Sequence, residues 1–202
     1  PLVRREHCAD FGQAVDLVLV VDASSSMAGL GRDGQSRLDA ARQASASLLD
    51  GLGLRAGSVD SPRQVAIVSF AAEARLVQPL TSDRLALDRA LAALVLREGT
   101  RIDLAMQAAH DEVQGRRHRR EAGKAVVLLS DGQVDEAQAR SAIAAAEAAR
   151  AEGVSVFAIA LGSAADQSLL AAMASPGQVY VAPEPAELLD IYRRIAQLVR
   201  CR

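Results

Sequence analysis

Short, near-continuous apolar runs separated by longer segments of helical period constrain this chain more than any other feature. Asp16-Leu-Val-Leu-Val-Val21, the run over 65–70, Ala125-Val-Val-Leu-Leu-Ser130 and the run over 154–161 show little polar alternation. A strand with one wet face would alternate, so runs this uniformly apolar predict strands buried on both faces. The intervening stretches 38–52, 81–94, 102–114 and 136–152 read as helices, the first opened by Ser36-x-x-Asp39 and the second by Thr81-Ser-Asp83. Segments 64–70 and 75–79 are separated only by Ala71-Ala-Glu-Ala74, too tight for a crossover helix, and therefore pair as a hairpin. A short helix over 166–173, a last strand over 178–181 and a helix over 184–199, with Leu188, Ile191, Ile195 and Leu198 at helical spacing, complete the pattern. The expectation is an α/β, doubly wound, mostly parallel sheet with one antiparallel edge strand and helices on both faces.

Length and composition fit one domain: 202 residues, half of them apolar, with aromatics at 2% and no Trp, so the core must be aliphatic. We assign the domain to 8–201 and a flank to 1–7. A net charge of −2 provides no pull toward nucleic acid or an anionic membrane, and no run approaches the ~18 apolar residues that span a bilayer. Lys124 is the only lysine among 23 basic residues, which with the abundant Ala suggests the codon bias of a GC-rich bacterial genome. The chain opens on Pro1, as a fragment or mature form does. Cys8 and Cys201 bracket the domain. Two cysteines are too few for a disulfide framework, yet domain termini often lie close, so a bridge and an oxidising, extracellular setting are expected.

The ends of the apolar runs carry the candidate chemistry. The first empties into Asp22-Ala-Ser24-Ser-Ser26-Met27, Gly99-Thr100 precedes the third helical stretch, and the run over 125–130 empties into Asp131-Gly132. Each has an ordinary structural reading: an Asx or Ser turn, a capping box Thr100-x-x-Asp103, a common Asp-Gly turn. Together they bring carboxylates and hydroxyls, the hard oxygen ligands of Mg²⁺ or Mn²⁺, to the carboxyl ends of strands, where doubly wound sheets bind ligands. Asp22 is expected at a solvent-facing strand end.

This set resembles the von Willebrand factor type A domain, also called the integrin I domain, with its metal-ion-dependent adhesion site. That family's Asp-x-Ser-x-Ser, Thr and Asp-Gly elements fall on Asp22, Ser24 and Ser26, then Thr100, then Asp131. The resemblance spans essentially the whole chain. It implies Mg²⁺ as the ion, with Mn²⁺ and Ca²⁺ as alternatives, approached by Ser24, Ser26 and Thr100 directly and by Asp22 and Asp131 directly or through water. It implies a sixth position completed by an Asp or Glu of a protein partner. One departure is Ser25, where many relatives have Gly; a positive φ there would strain the loop. In some relatives the last helix slides, and Ile191 and Ile195 would pack against that motion, although an ordinary core face is the better reading of them.

Other motifs read as bland. Gly29-Leu-Gly31-Arg-Asp-Gly34 matches a dinucleotide fingerprint as a string but lies seven residues beyond the strand end, so a surface loop fits better. Arg116-Arg-His-Arg-Arg120 reads as a solvated loop. His7, His110 and His118 are scattered, and neither serine has an identifiable general base, so no enzyme is expected. The expected function is a divalent-cation-dependent protein-binding module, monomeric within a larger surface or extracellular protein, with Ser25, Met27, Gly29, Arg101 and Gln133 forming a partner-binding rim. The alternatives are an intracellular subunit beside an AAA-type ATPase or chelatase, and a structural scaffold.

Overall fold

In the computed structural model, residues 14–57 and 61–200 are described; Cys8, Cys201, His7 and the flank 1–7 lie outside them. Six strands form one sheet in the order β3-β2-β1-β4-β5-β6: β1 (Val15–Asp22), β2 (Arg63–Phe70), β3 (Ala74–Thr81), β4 (Gly123–Ser130), β5 (Val154–Leu161) and β6 (Val179–Ala182). All pairings are parallel except β2 with β3, the expected hairpin. The six helices are α1 (Arg37–Gly51), α2 (Arg84–Ala92), α3 (Ile102–Gln114), α4 (Glu136–Ala151), α5 (Gln167–Met173) and α6 (Leu188–Arg200).

The sheet divides the core by strand parity, because successive side chains point to opposite faces. Leu17, Leu19 and Val21 of β1 join residues of α1, α2 and α6 on one side. Val18 and Val20 join residues of α3, α4 and α5 on the other. Every residue of β1 is buried, as its unbroken apolar pattern requires. Helix starts follow the capping reading: Ser36 accepts from the Asp39 N–H, Asp83 from that of Leu85, Asp135 from that of Gln138 and Asp166 from that of Leu169. The last helix begins later than expected, because a 3₁₀ turn over Pro185–Glu187 takes up the entry. Its Ile195 is fully buried and Ile191 packs partly buried against the same cluster. No helix among the described residues is long and apolar enough to cross a membrane.

The chain runs outward from β1 to β2, then returns to place β4 on the other flank of β1. The topological switch therefore lies between β1 and β4, and both strands end there in aspartate-bearing loops.

Candidate metal centre

Three loops converge at this switch. Val21 is in register with Leu129, so Asp22 faces Ser130 across the strand ends, and the Ser130 hydroxyl donates to Asp22 Oδ2 at 2.7 Å. The other oxygen, Oδ1, accepts from the Ser24 N–H at 2.8 Å, an Asx turn that redirects the chain out of β1. Asp22 is fully buried rather than solvent-facing as the sequence suggested, because the Ser24 turn and Ser130 close over the carboxylate. That burial pushes its pKa up, with hydrogen bonds from Ser24 and Ser130 pulling the other way and the nearby Asp131 charge adding to the rise.

From this anchor the hydroxyls form a chain. Ser24 Oγ and Ser26 Oγ lie 2.8 Å apart, and Ser26 Oγ donates to Asp131 Oδ1 at 2.6 Å. A 3₁₀ turn over Ser25–Ala28 sets this spacing by plunging Met27 into the core. Met27 therefore leaves the expected partner-binding rim: it is fully buried and pins the loop from below. Ser25 sits in the same turn, and no non-glycine residue among those described has positive φ, so the strain considered for Ser25 does not arise.

Thr100 arrives on a strap across the ends of β1 and β2. Arg97 N–H donates to Ala23 O at 2.8 Å, Ala72 N–H to Glu98 O at 2.8 Å and Arg101 N–H to Ala71 O at 2.6 Å. The strap passes so close to Ala72 that a Cβ on Gly99, whose φ is +87°, would sit 2.8 Å from the Ala72 Cα. This explains the Gly-Thr pair. The Thr100-x-x-Asp103 cap does not form: Arg101 is the N-cap of α3 and makes no side-chain capping bond, while its guanidinium grips Asp103. The Thr100 hydroxyl has no hydrogen-bond partner among the described residues.

Gly132 supplies the remaining space. A Cβ there would stand 3.6 Å from Thr100 Oγ1 and 3.9 Å from Asp22 Oδ2, filling the gap between two oxygens. Ser24, Ser26, Thr100, Asp131 and Gly132 line a shallow open cup of about 420 Å³. The donor set suits a hard divalent cation: all oxygen, two carboxylates, and one hydroxyl without a partner among the described residues. Among the described residues no group of three or more His, Cys, Asp or Glu side chains could hold a metal, so a cation here would depend on the hydroxyls as well.

Around the cup, Ser25 is exposed and its hydroxyl donates to Glu98 at 3.3 Å. Gln133 is exposed and donates to Ala164 O at 3.1 Å, and Gly29 is half-buried. Two contributors were missed in the sequence. Ser130, which holds Asp22, reads there as the last residue of a strand, and only the β1–β4 register reveals its role. Arg37 donates to Asp131 Oδ2 at 2.6 Å, yet at the start of a helix it reads as a solvated charge.

A model of the von Willebrand factor type A domain matches residues 16–194. Among solved structures, the chain resembles the vWF domain of the type V pili tip protein Mfa5 from Porphyromonas gingivalis, with a TM-score of 0.78 and 16% identity over 92% of this chain and 95% of that one. It also resembles the conserved hypothetical protein BatB from Bacteroides thetaiotaomicron, with a TM-score of 0.72 and 22% identity over 93% and 100% of the two chains. A third is proximal thread matrix protein 1 from the mussel byssus with a zinc-occupied MIDAS motif, with a TM-score of 0.75 and 20% identity over 93% of this chain and 48% of that one. The chain thus spans about half the length of the byssus protein. At these identities the likeness is one of fold. No curated protein matches in sequence.

Proposed function

The chain belongs to the von Willebrand factor type A domain family, and we propose that it is a divalent-cation-dependent, adhesion-type binding module that captures an Asp or Glu of a protein partner. The observation that carries this reading is the convergence of Ser24, Ser26, Thr100 and Asp131 on one open cup, with the buried Asp22 carboxylate just behind Gly132 in its wall. Mg²⁺, or Mn²⁺ in its place, would supply a Lewis-acidic position for the partner's carboxylate. The zinc-occupied motif of the byssus protein supports a divalent ion at this place in the fold.

The protein's own groups divide the work. Asp22 and Asp131 provide negative charge below the cup, each already held by a serine hydroxyl. Ser24, Ser26 and Thr100 present neutral oxygens, which leave a cation attractive to a further carboxylate. Ser25, Gln133 and the Gly29 turn form the rim that a partner would touch. The module is non-enzymatic in this reading. The pili tip and byssus proteins among the fold's relatives favour a surface or extracellular setting within a larger protein.

The test is a calorimetric titration of chelator-stripped protein with Mg²⁺ and with Mn²⁺, beside Asp22→Asn and Asp22→Ala. The asparagine keeps an acceptor for the Ser24 N–H, so its fold should survive. One-site binding that disappears in both variants is the expected result. Absence of binding in the parent protein, or its persistence in both variants, refutes the proposal.

A further inference from the structure

Arg37 is the cationic side chain paired with this oxygen cluster among the described residues, and it is built in rather than resting nearby. Its backbone N–H donates to Gly29 O at 2.9 Å, fixing the first residue of α1 against the turn that follows the serines. Its guanidinium then reaches Asp131 Oδ2 at 2.6 Å, with the arginine side chain 25% exposed and that of Asp131 0% exposed. Two glycines make the passage. A Cβ on Gly162 would stand 3.0 Å from Arg37 Nη2, and one on Gly29 would stand 3.3 Å from its Cζ and Nε. A side chain at either place would press on the guanidinium and force it to shift by a few tenths of an ångström.

Building on the cation-site reading above, we propose that Arg37 is a positioning residue and built-in counter-charge of that site. It holds Asp131 by Oδ2, so that Oδ1 is left to Ser26 and the cup. It also changes the charge of the cluster. Asp22 and Asp131 carry −1 each and Arg37 carries +1, so the three together hold −1 rather than −2. With a divalent ion added, the centre carries +1 rather than zero. Arg37 therefore lowers the affinity for the ion while leaving the occupied centre positive toward an incoming carboxylate. This differs from the role of a side chain that merely ties α1 to β4, which would change folding stability and leave cation affinity alone.

The experiment compares wild type, Arg37→Met and Arg37→Lys by calorimetric titration with Mg²⁺ alone and Mn²⁺ alone, and by thermal melting in chelator and in excess Mg²⁺. Even at an effective dielectric constant of about 20, a unit positive charge a few ångströms from a divalent ion opposes it strongly, so removing Arg37 should tighten cation binding roughly tenfold or more. Arg37→Met should also melt lower in chelator and recover more on adding Mg²⁺ than wild type does. Arg37→Lys, which keeps the charge, should stay near wild-type affinity. Should Arg37→Met fail to fold, Arg37→Gln carries the same comparison. Wild type that binds Mg²⁺ while the neutral variant binds equally or more weakly overturns the counter-charge role alone. Wild type that binds neither ion overturns the cation site and this role with it.

Discussion

Replacing Arg119 with Met should destabilise the fold by about 3 kcal/mol, toward the lower end of the range for breaking a buried ion pair. The carboxylate of Asp16, at the opposite end of β1 from Asp22, has no solvent exposure. It accepts from Arg119 Nη2 at 2.6 Å, Arg119 Nε at 3.0 Å, the Arg119 N–H at 2.8 Å and His118 Nδ1 at 2.9 Å. The same guanidinium donates to the carbonyls of Val15, Ser61 and Pro62. Methionine removes both side-chain donors to Asp16 and leaves the backbone and His118 donors in place. The lower end of the range applies because Asp16 keeps part of its shell and the Arg119 side chain is 32% exposed. At about 2–4 °C per kcal/mol for a domain of this size, melting should fall by about 6–12 °C. Urea unfolding followed by far-ultraviolet circular dichroism measures the loss directly. Arg116→Met, an exposed neighbour in the same basic run, serves as the control and should stay within about 0.5 kcal/mol of wild type. The two ends of β1 are about 20 Å apart at ~3.3 Å per residue, so cation binding should be unaffected. A loss below about 1 kcal/mol for Arg119→Met would mean that water replaces the guanidinium, and that the pair is no stronger than a surface salt bridge.

Two further outcomes are expected. Gly99→Ala should lower stability by about 1–3 kcal/mol, because the position combines positive φ with a backbone contact, and should weaken Mg²⁺ binding by displacing Thr100; calorimetry and urea unfolding together check it, and an unchanged cation affinity would disconnect the strap from the site. Burial alone would raise the Glu112 pKa, but the Arg117 guanidinium and the Leu80 N–H outweigh it and hold the carboxyl below its ordinary value. Its stabilising contribution is therefore present above the ordinary carboxylate range near ~4.3 and is lost as pH falls through the lowered folded value. Glu112→Gln should show a shallower loss of stability below about pH 5 than wild type, and parallel curves would remove Glu112 from the acid response.

The same distinction between local and distant pairing decides what was legible in the sequence. Uniform apolar runs gave away β1, β4 and β5 because burial on both faces leaves no polar alternation to confuse them. The short link after Phe70 gave away the antiparallel edge, and Asp22, Ser24, Ser26, Thr100 and Asp131 could be picked out because each follows or precedes a recognisable element. Met27 was misplaced on the rim because a loop rich in serine reads as surface, whereas a 3₁₀ turn reverses the facing of one residue within it. Asp16 looked like the polar start of a strand, and Arg119 like part of a solvated run. Only a contact spanning 103 residues reveals that they belong together. Arg37 and Asp131, 94 residues apart, escaped for the same reason.

Asp16 and Asp22 also provide a comparison within one strand. Both are fully buried aspartates on β1, one at each end of the sheet. Burial of a carboxylate is costly unless it is paired and hydrogen-bonded. Asp16 meets that requirement inside the protein, with a guanidinium, an imidazole and a backbone amide around it. Asp22 does not: among the described residues its partners are serine hydroxyls and an amide, and the charge acting on it is the like charge of Asp131. Arg37 offsets Asp131 from one side only, leaving the pair with one uncompensated negative charge beside an open cup. A structural turn could be made at that place from serines alone, without two buried acids. A divalent cation from solution would answer that uncompensated negative charge and leave the centre at +1, so adding Mg²⁺ should stabilise the fold through Asp22 and leave the Asp16 end untouched. Saturating Mg²⁺ should therefore raise the melting temperature of Arg119→Met by the same increment as wild type, and should leave Asp22→Asn unshifted. An Mg²⁺ increment retained in Asp22→Asn would place the ion elsewhere in the molecule.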